Sequence, residues 1–102
     1  RAVAFLYSAD ERLKENITNL TGILPKLNNV NSVGFNWIDK NKDQSRQIGF
    51  IAQEIGKEFP ELVKTDTNGY KTVDYPKMTV IRLGAIKELK AEIEQLKLRI
   101  NE

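Results

Sequence analysis

The clearest pattern in the chain is a set of apolar residues at heptad spacing near its C-terminal end. Pro76 suits the first turn of a helix, because the N–H that proline lacks would have no partner there, and no proline follows it. The pattern predicts a helix over about residues 77–101. Gly84 is its weak point, since glycine costs roughly 1 kcal/mol relative to alanine inside a helix. The a and d positions are Ile86, Leu89, Ile93, Leu96 and Ile100.

These five residues, called the seam below, favour an intermolecular coiled coil. Lysine and glutamate flank them, and the end of the chain offers no other apolar surface to pack on. The alternative is an amphipathic helix that lies on the core of its own chain. Isoleucine at a with leucine at d favours two strands in parallel coils, so the seam by itself does not predict a trimer.

The N-terminal third has a weaker helical pattern. Residues 1–8 are expected to be extended and to form the end of an upstream segment. Ser8 and Glu11 have capping-box spacing, and Leu13, Ile17 and Leu20 then recur at helical intervals. This predicts a helix that starts at Ser8. A second helical piece is expected over residues 21–27, interrupted or restarted near Pro25.

The middle of the chain alternates between strand and helix signals, which together predict an α+β fold. Alternation favours a strand at 33–38, and a polar loop at 39–47 separates it from a second strand at 48–51. A helix at 52–59 should stop at Pro60. Asn68-Gly69 supplies the positive φ angles of a tight hairpin turn between 62–64 and 70–73. The expected core aromatic residues are Phe35, Trp37, Phe50 and Phe59.

The composition limits the kinds of partner, metal site and catalytic mechanism that the chain can have. The 102 residues suit one domain, and the net charge of +2 is spread over mixed signs, which argues against nucleic acid or an anionic membrane as the main partner. With no cysteine and no histidine, the chain cannot form disulfides, the usual zinc sites, or a Ser-His-Asp or Cys-His mechanism. No apolar run approaches the ~20 residues that a membrane-spanning helix needs. No cofactor is expected.

Three features remain as candidates for function. Lys14 can act as a general base if a hydroxyl such as that of Ser8 is near, although a capping serine and a solvated lysine are the simpler interpretation. Residues 49–55 switch from strand to helix, which favours packing over a binding pocket. Acidic residues follow Ser8 closely and suit the positive end of a helix dipole, so no metal site is expected there.

Six segments, in order, resemble the intramolecular chaperone domain of phage endosialidases, tail fibres and neck appendages, also classed as peptidase S74. A related domain occurs in the myelin regulatory factor of animals. The resemblance covers about residues 9–102. The segments are ADERLKENI at 9–17, FNWID at 35–39, GFIAQEI at 49–55, FPELV at 59–63, YKTVDY at 70–75 and AIKELKAEIEQLK at 85–97.

The resemblance implies a domain that forms a homotrimer, guides the folding of an upstream trimeric passenger and then cuts itself off. The family cuts just before the serine of a pattern S-D-x-x-L-K, with the lysine as general base. Asp10, Leu13 and Lys14 match this pattern, whereas Ala9 stands at the serine. We interpret Ala9 as a Ser→Ala change that blocks cleavage after Ser8. The alternative is that Ser8 is the nucleophile with a one-residue insertion.

The same resemblance divides the chain into residues 1–8, the end of the passenger, and residues 9–102, the chaperone. It implies action in the host cytoplasm during virion assembly and absence from the mature virion, with the seam holding the trimer. Two rivals remain: an adaptor module without proteolysis, and the homologous domain of a membrane-tethered transcription factor. Residues that could support the cleavage site are Asp10, Arg12, Gln53 and Glu54.

Overall fold

The computed structural model describes residues 6–101 and confirms the α+β class. Residues 1–5, which belong to the predicted passenger end, lie outside the described residues, as does the last residue of the chain. Single 3-10 turns occupy Glu11–Leu13, Pro60–Leu62 and Tyr75–Lys77. The helices and strands are α1 Ile23–Leu27, β1 Val33–Phe35, β2 Gln47–Gly49, α2 Ala52–Glu58, β3 Val63–Thr65, β4 Lys71–Val73 and α3 Met78–Ile100.

The predicted helix from Ser8 is wrong. Only the 3-10 turn Glu11–Leu13 forms, and its cap is Asp10. Leu13, Ile17 and Leu20 are each more than half exposed. Because a short helix is marginal in water, it needs packing of an apolar face to persist, and this face has no cover in the protomer. The segment 9–22, called the arm below, therefore lies outside the regular secondary structure apart from that one turn.

The second helical prediction is confirmed in a shorter form, since α1 begins only at Ile23. Gly22 precedes it with φ 66°, a left-handed conformation that glycine adopts without steric cost. Pro25 is the third residue of α1, within the first turn, where a missing N–H leaves no internal hydrogen bond broken. The chain therefore turns sharply at Gly22 and enters α1 buried at Ile23.

The predicted pairing of the first two strands is confirmed, although both strands are shorter than expected. β1 and β2 are antiparallel, with Val33 opposite Gly49 and Phe35 opposite Gln47. Trp37 lies beyond β1 and is 40% exposed, so its assignment to the core is wrong. Its ring packs edge-on against Phe35 at 5.0 Å and lies 4.0 Å beneath Nζ of Lys42. These local contacts cover part of the indole ring without burying it.

The predicted hairpin of β3 and β4 is also confirmed, with a different turn. Gly69 has φ 86°, whereas Asn68 does not take a positive φ, so the mirror-image two-residue turn does not form. The Gly69 N–H donates to the carbonyl of Asp66 at 3.1 Å. The Asp66 side chain accepts from the N–H groups of Asn68 and Tyr70, both at 2.9 Å. Hydrogen bonds to Asp66 therefore hold this turn, in place of the two positive φ angles that were expected at Asn68 and Gly69.

The core lies where α1, α2 and the start of α3 meet. Of the four aromatic residues expected there, only Phe59 is buried, while Phe50 packs at the edge. Phe35 is half-buried on its own hairpin. Aliphatic residues fill most of the centre because three helical elements converge there, whereas β1 and β2 pair only with each other. The buried residues are Ile23, Ile55, Phe59, Leu62, Met78 and Ile81.

Helix α3 confirms the long helix predicted at residues 77–101. Its 23 residues extend about 35 Å at ~1.5 Å per residue. Met78 and Ile81 are buried and Ala85 is partly buried, whereas every residue from 89 to 101 is exposed. The helix therefore packs on the body as far as Glu88, and the remainder projects from it. The whole chain is elongated, with principal extents of 60 × 37 × 31 Å.

Candidate functional site

The segment Ala9–Lys14 wraps around the single 3-10 turn of the arm. The Leu13 N–H donates to the carbonyl of Asp10, and the Lys14 N–H donates to the carbonyl of Glu11, both at 3.1 Å. Lys14 then leaves the turn in an extended conformation, with φ −122° and ψ 149°. The turn places Ala9 and Lys14 at its two ends, five residues apart in sequence. A nucleophile and its base must also come within hydrogen-bond reach of each other, so the pairing of positions 9 and 14 stays a prediction.

Asp10 and Arg12 hold this turn together. One carboxylate oxygen of Asp10 accepts from the backbone N–H of Arg12 at 2.9 Å, and the other accepts from the guanidinium at 2.7 Å. This pairing lowers the pKa of Asp10 through the guanidinium first and the backbone N–H second, and it raises the pKa of Arg12. Both groups are exposed, so the pair orients the turn more than it stabilises the fold.

The chemistry that the turn could perform is limited by what surrounds it. Ser8, Ala9 and Lys14 are all exposed in the protomer. A lysine serves as a base when burial or neighbouring cations favour its neutral form. The Arg12 backbone N–H is already bound to Asp10, so in this conformation it is not a donor for an oxyanion. A protomer alone therefore presents the motif without the enclosure that acyl transfer needs.

Gln53 and Glu54, the other predicted supporting residues, lie in the first turn of α2. The Glu54 carboxylate accepts from the backbone N–H of Asn31 at 3.0 Å and approaches the Asn31 amide at 3.4 Å. Among residues 6–101, no hydrogen bond or ion pair joins either residue to the arm. Glu54 therefore fixes the chain before β1, and a role for the pair at the cleavage motif stays a prediction.

The seam residues form a continuous apolar stripe on the projecting part of α3. Their side chains are 45–81% exposed. At 100° per residue, the centre of the stripe lies about 70° around the helix from the centre of the face that carries Met78 and Ile81. The protomer therefore packs α3 with one face and leaves the seam free, which excludes the alternative in which the seam covers the protomer's own core.

Sequence reasoning missed Glu88 and interpreted Gly84 only as a weak point of the helix. Each oxygen of the Glu88 carboxylate accepts a backbone N–H from the start of α1, from Ile23 and from Leu24, both at 3.0 Å. These donors lower the pKa of Glu88, with Leu24 the larger cause. Gly84, one turn earlier, faces Ile23 so closely that a Cβ there would collide with its Cδ1. No sequence signal distinguishes Glu88 from the other charged residues of α3.

Another missed residue explains the strand-to-helix switch at residues 49–55. The Tyr75 hydroxyl accepts the Phe50 N–H at 3.2 Å and lies over Gly49, where a Cβ would approach it to 2.8 Å. The Tyr75 ring also packs on Phe50 at 5.6 Å. The glycine therefore makes room for a tyrosine, which supports the packing interpretation of this segment.

An open cavity of about 510 Å³ lies at the junction of α1, α2 and α3, next to the end of the arm. Leu20, Phe59 and Val80 line it with other apolar side chains, and Lys26 lies over the Phe59 ring at 5.5 Å. Across the described residues, no group of three His, Cys, Asp or Glu side chains could hold a metal ion. Within the same range, no helix is long and apolar enough to cross a membrane.

The chain thus combines a short turn on an exposed arm with a small α+β body and a projecting helix. Residues 9–64 match the family described as the chaperone of endosialidase, peptidase S74. The chain belongs to this family. The matched region begins at Ala9.

Two curated relatives are phage proteins. The long tail fiber protein Gp37 of Enterobacteria phage M1 is 32% identical to this chain over 96 residues, which cover 87% of the chain and 38% of the phage protein. The same protein of Enterobacteria phage Ox2 matches with equal identity and coverage. The chain thus spans well under half the length of these relatives. Both agree with the resemblance to chaperone domains of tail fibres.

Proposed function

We propose that this chain is the intramolecular chaperone of a phage fibre or tailspike, which assembles as a homotrimer and guides the folding of the passenger upstream of it. Membership of the chaperone family and similarity to tail fibre proteins support this role. The carrying observation is the exposed seam on a helix that projects from its own core. On this proposal the domain acts in the host cytoplasm, needs no cofactor, nucleic acid or membrane, and is absent from the mature virion.

The seam supplies the driving force for association. Burying a leucine or isoleucine side chain contributes about 1.5–3 kcal/mol relative to leaving it exposed. Five such residues per protomer offset the cost of bringing three chains together. The heptad itself does not select three strands, so the number rests on the family. Contacts between the α+β parts of the three protomers, and between their passengers, would then also favour a trimer.

We further propose that the domain releases itself by cutting between Ser8 and position 9 once that position is a serine. Lys14, in its neutral form, would take the proton from the serine hydroxyl. The oxygen would attack the carbonyl carbon of Ser8, and the amide nitrogen of residue 9 would leave with a proton from Lys14. Water would then hydrolyse the ester, giving a carboxylate on Ser8 and a free amino group on residue 9.

Assembly would complete this site. In the protomer the arm is exposed and Lys14 is solvated. A neighbouring chain that covers the arm would exclude water and favour the neutral lysine. Cleavage would then follow trimerisation, and removal of the chaperone would leave the fibre kinetically trapped. With Ala9 the nucleophile is missing, so this chain should be inert and residues 1–8 should remain attached.

One observation favours a second candidate, an assembly module without proteolysis: alanine stands at the nucleophile position. The two candidates differ in what a restored serine does. In the proteolytic case Ala9→Ser creates activity, whereas in the second case the chain assembles and stays whole. The homologous domain of a membrane-tethered transcription factor has no support from the phage relatives.

The test is the intact mass of the Ala9→Ser protein after native purification. Loss of residues 1–8, leaving a fragment that begins at the new serine, supports the proposal. Lys14→Ala added to Ala9→Ser should restore the full-length mass. Ser8→Ala added instead should leave cleavage intact, because Ser8 supplies only the carbonyl. An Ala9→Ser protein that forms the trimer and stays uncut would refute the dyad and support the assembly module. Cleavage that depends on the Ser8 hydroxyl would identify Ser8 as the nucleophile.

A further inference from the structure

We propose that Glu88 couples self-association of α3 to anchoring of the arm, so that the arm is held most firmly in the assembled trimer. The inference rests on the assembly proposed above and gives Glu88 the role of a positioning residue. It concerns a side chain that lies on neither the seam nor the cleavage motif. The observations that carry it are its hydrogen bonds to α1 and its place along α3.

Glu88 caps a helix that has no cap of its own. Gly22, at the N-cap position of α1, has no side chain to accept a hydrogen bond, and α1 is only five residues long. The carboxylate of Glu88, 65 residues further along the chain, accepts the Ile23 N–H with one oxygen and the Leu24 N–H with the other. The start of α1, and with it the end of the arm, is therefore fixed from α3.

Glu88 also marks the point where α3 leaves the body of the protomer. It is the last residue of α3 that is partly buried, because every residue from 89 to 101 is exposed. Terminal turns of a helix without tertiary contacts fray, since helix stability in proteins comes chiefly from packing. In a lone protomer, fraying from the C-terminal end would reach the turn that holds the Glu88 side chain in place.

The seam and the cap use different faces of α3, so both can be satisfied at once. Glu88 lies at heptad position c, between Ile86 at a and Leu89 at d, and one heptad after the buried Ile81. Burying Leu89 and Ile93 in a coiled coil would keep the helix intact through residue 88. Because such coupling is reciprocal, the bond to α1 also favours the helical state that associates.

Anchoring Gly22 has a defined consequence for the cleavage motif. Lys14 is eight residues before Gly22, so an extended arm reaches at most about 29 Å from its anchor. Without Glu88, the anchor is the packing of Ile23 in the core and against Gly84. The cap adds to this anchor and so helps to keep the motif within that reach of α3, where a neighbouring protomer of the coil would lie.

The experiment compares Glu88→Gln with Glu94→Gln in the chain as it stands, with Ala9. Both changes remove one negative charge from α3, but Glu94 makes only an exposed pair with Lys90 at 3.9 Å. Sedimentation of a dilution series gives the concentration at which the trimer dissociates. A coupling of ordinary size raises that concentration about fivefold or more for Glu88→Gln. Glu94→Gln should stay within about twofold of the unsubstituted chain.

An NMR measurement on the unsubstituted chain needs no variant and covers the case in which Glu88→Gln misfolds. The amide signals of Ile23 and Leu24 should move towards values typical of amides without the carboxylate when dilution dissociates the trimer. Signals that do not change on dissociation, or equal midpoints for the two variants, would overturn the coupling while leaving the trimer intact. A chain that is monomeric at every concentration would overturn the assembly and the coupling together.

Cleavage provides a third readout that separates the inference from the dyad. In the Ala9→Ser background, Glu88→Gln should slow the release of residues 1–8 about fivefold or more at equal protein concentration, whereas Glu94→Gln should leave the rate unchanged. If Ala9→Ser is never cut, the proposed protease is wrong, yet the dilution series still decides the coupling. Equal cleavage rates for the two variants would count against Glu88 as a positioning residue.

Discussion

Gly84 should resist the substitution that helix propensity recommends. Alanine in place of glycine inside a helix ordinarily stabilises by about 1 kcal/mol. Here a Cβ at residue 84 would collide with Cδ1 of Ile23, a side chain that is only 1% exposed. Overpacking of this kind costs about 1–3 kcal/mol. The balance predicts that Gly84→Ala lowers the free energy of unfolding by up to about 2 kcal/mol.

Gly56 is the matched control. It also lies inside a helix, α2, but a Cβ there would meet the nearest side-chain atom, on Val63, at an ordinary 3.5 Å. Gly56→Ala should therefore raise the free energy of unfolding by up to about 1 kcal/mol. The same glycine-to-alanine change is therefore expected to lower the free energy of unfolding at residue 84 and to raise it at residue 56, because only the Cβ at residue 84 meets a buried atom.

The collision can be relieved from the other side. Ile23→Val removes Cδ1 and leaves Cγ1, which an added Cβ would meet at 3.7 Å. Alone, an Ile→Val change costs about 0.5–1.5 kcal/mol. In the Gly84→Ala background it should cost less than that or become favourable, which is a non-additivity expected of residues in contact.

Urea unfolding followed by circular dichroism measures the free energy of unfolding of the unsubstituted chain and of these four variants. The protein concentration must be the same throughout, because association contributes to apparent stability. A Gly84→Ala chain as stable as the unsubstituted chain, or more stable, would refute the argument from packing. So would a strictly additive double variant, since the proposed collision involves one pair of atoms.

Three further outcomes are expected. Leu89→Asp with Leu96→Asp places charges in the seam and should give monomers in sedimentation, whereas a surviving trimer would contradict the seam. The N–H groups of Leu24 and Ile23 hold the pKa of Glu88 below its ordinary value of 4.5. The carboxylate cap should therefore be complete above pH 4.5 and be lost as the pH falls through the lower pKa of the folded state. The amide chemical shift of Leu24, followed by NMR in a pH titration, should report this loss. Tyr75→Phe leaves the Phe50 N–H without its acceptor and should lower the free energy of unfolding by about 1 kcal/mol in urea. An unchanged free energy of unfolding would contradict a structural role for this hydrogen bond.

The sequence by itself determined the elements whose signals are local. Pro60 ends α2 and Pro76 precedes α3, because proline restricts its own backbone and that of the residue before it. The heptad predicted the long helix and the seam, because its apolar residues recur over several successive turns. The six segments gave the family, which the match over residues 9–64 confirms. The residues of the dyad came from that resemblance and stay a prediction.

The sequence misjudged elements that depend on what packs against them. Leu13, Ile17 and Leu20 have helical spacing, yet only a 3-10 turn forms, because an apolar face without a partner does not sustain a helix. Trp37 was expected in the core for its size, but its hairpin stands apart and its ring is satisfied by Phe35 and Lys42. Periodicity and hydrophobicity describe one segment and contain no information about its neighbours.

Only the tertiary structure decided which residues of α3 do which work. Gly84 looked like a flaw in the helix and proves to be the space that Ile23 occupies. Glu88 looked like one more charge beside the seam, but it caps α1 from 65 residues away. Contacts across such distances depend on the relative placement of two helices, which no local pattern encodes. The sequence predicted which face of α3 carries the seam. The face that holds the arm is apparent only from the contact between α1 and α3.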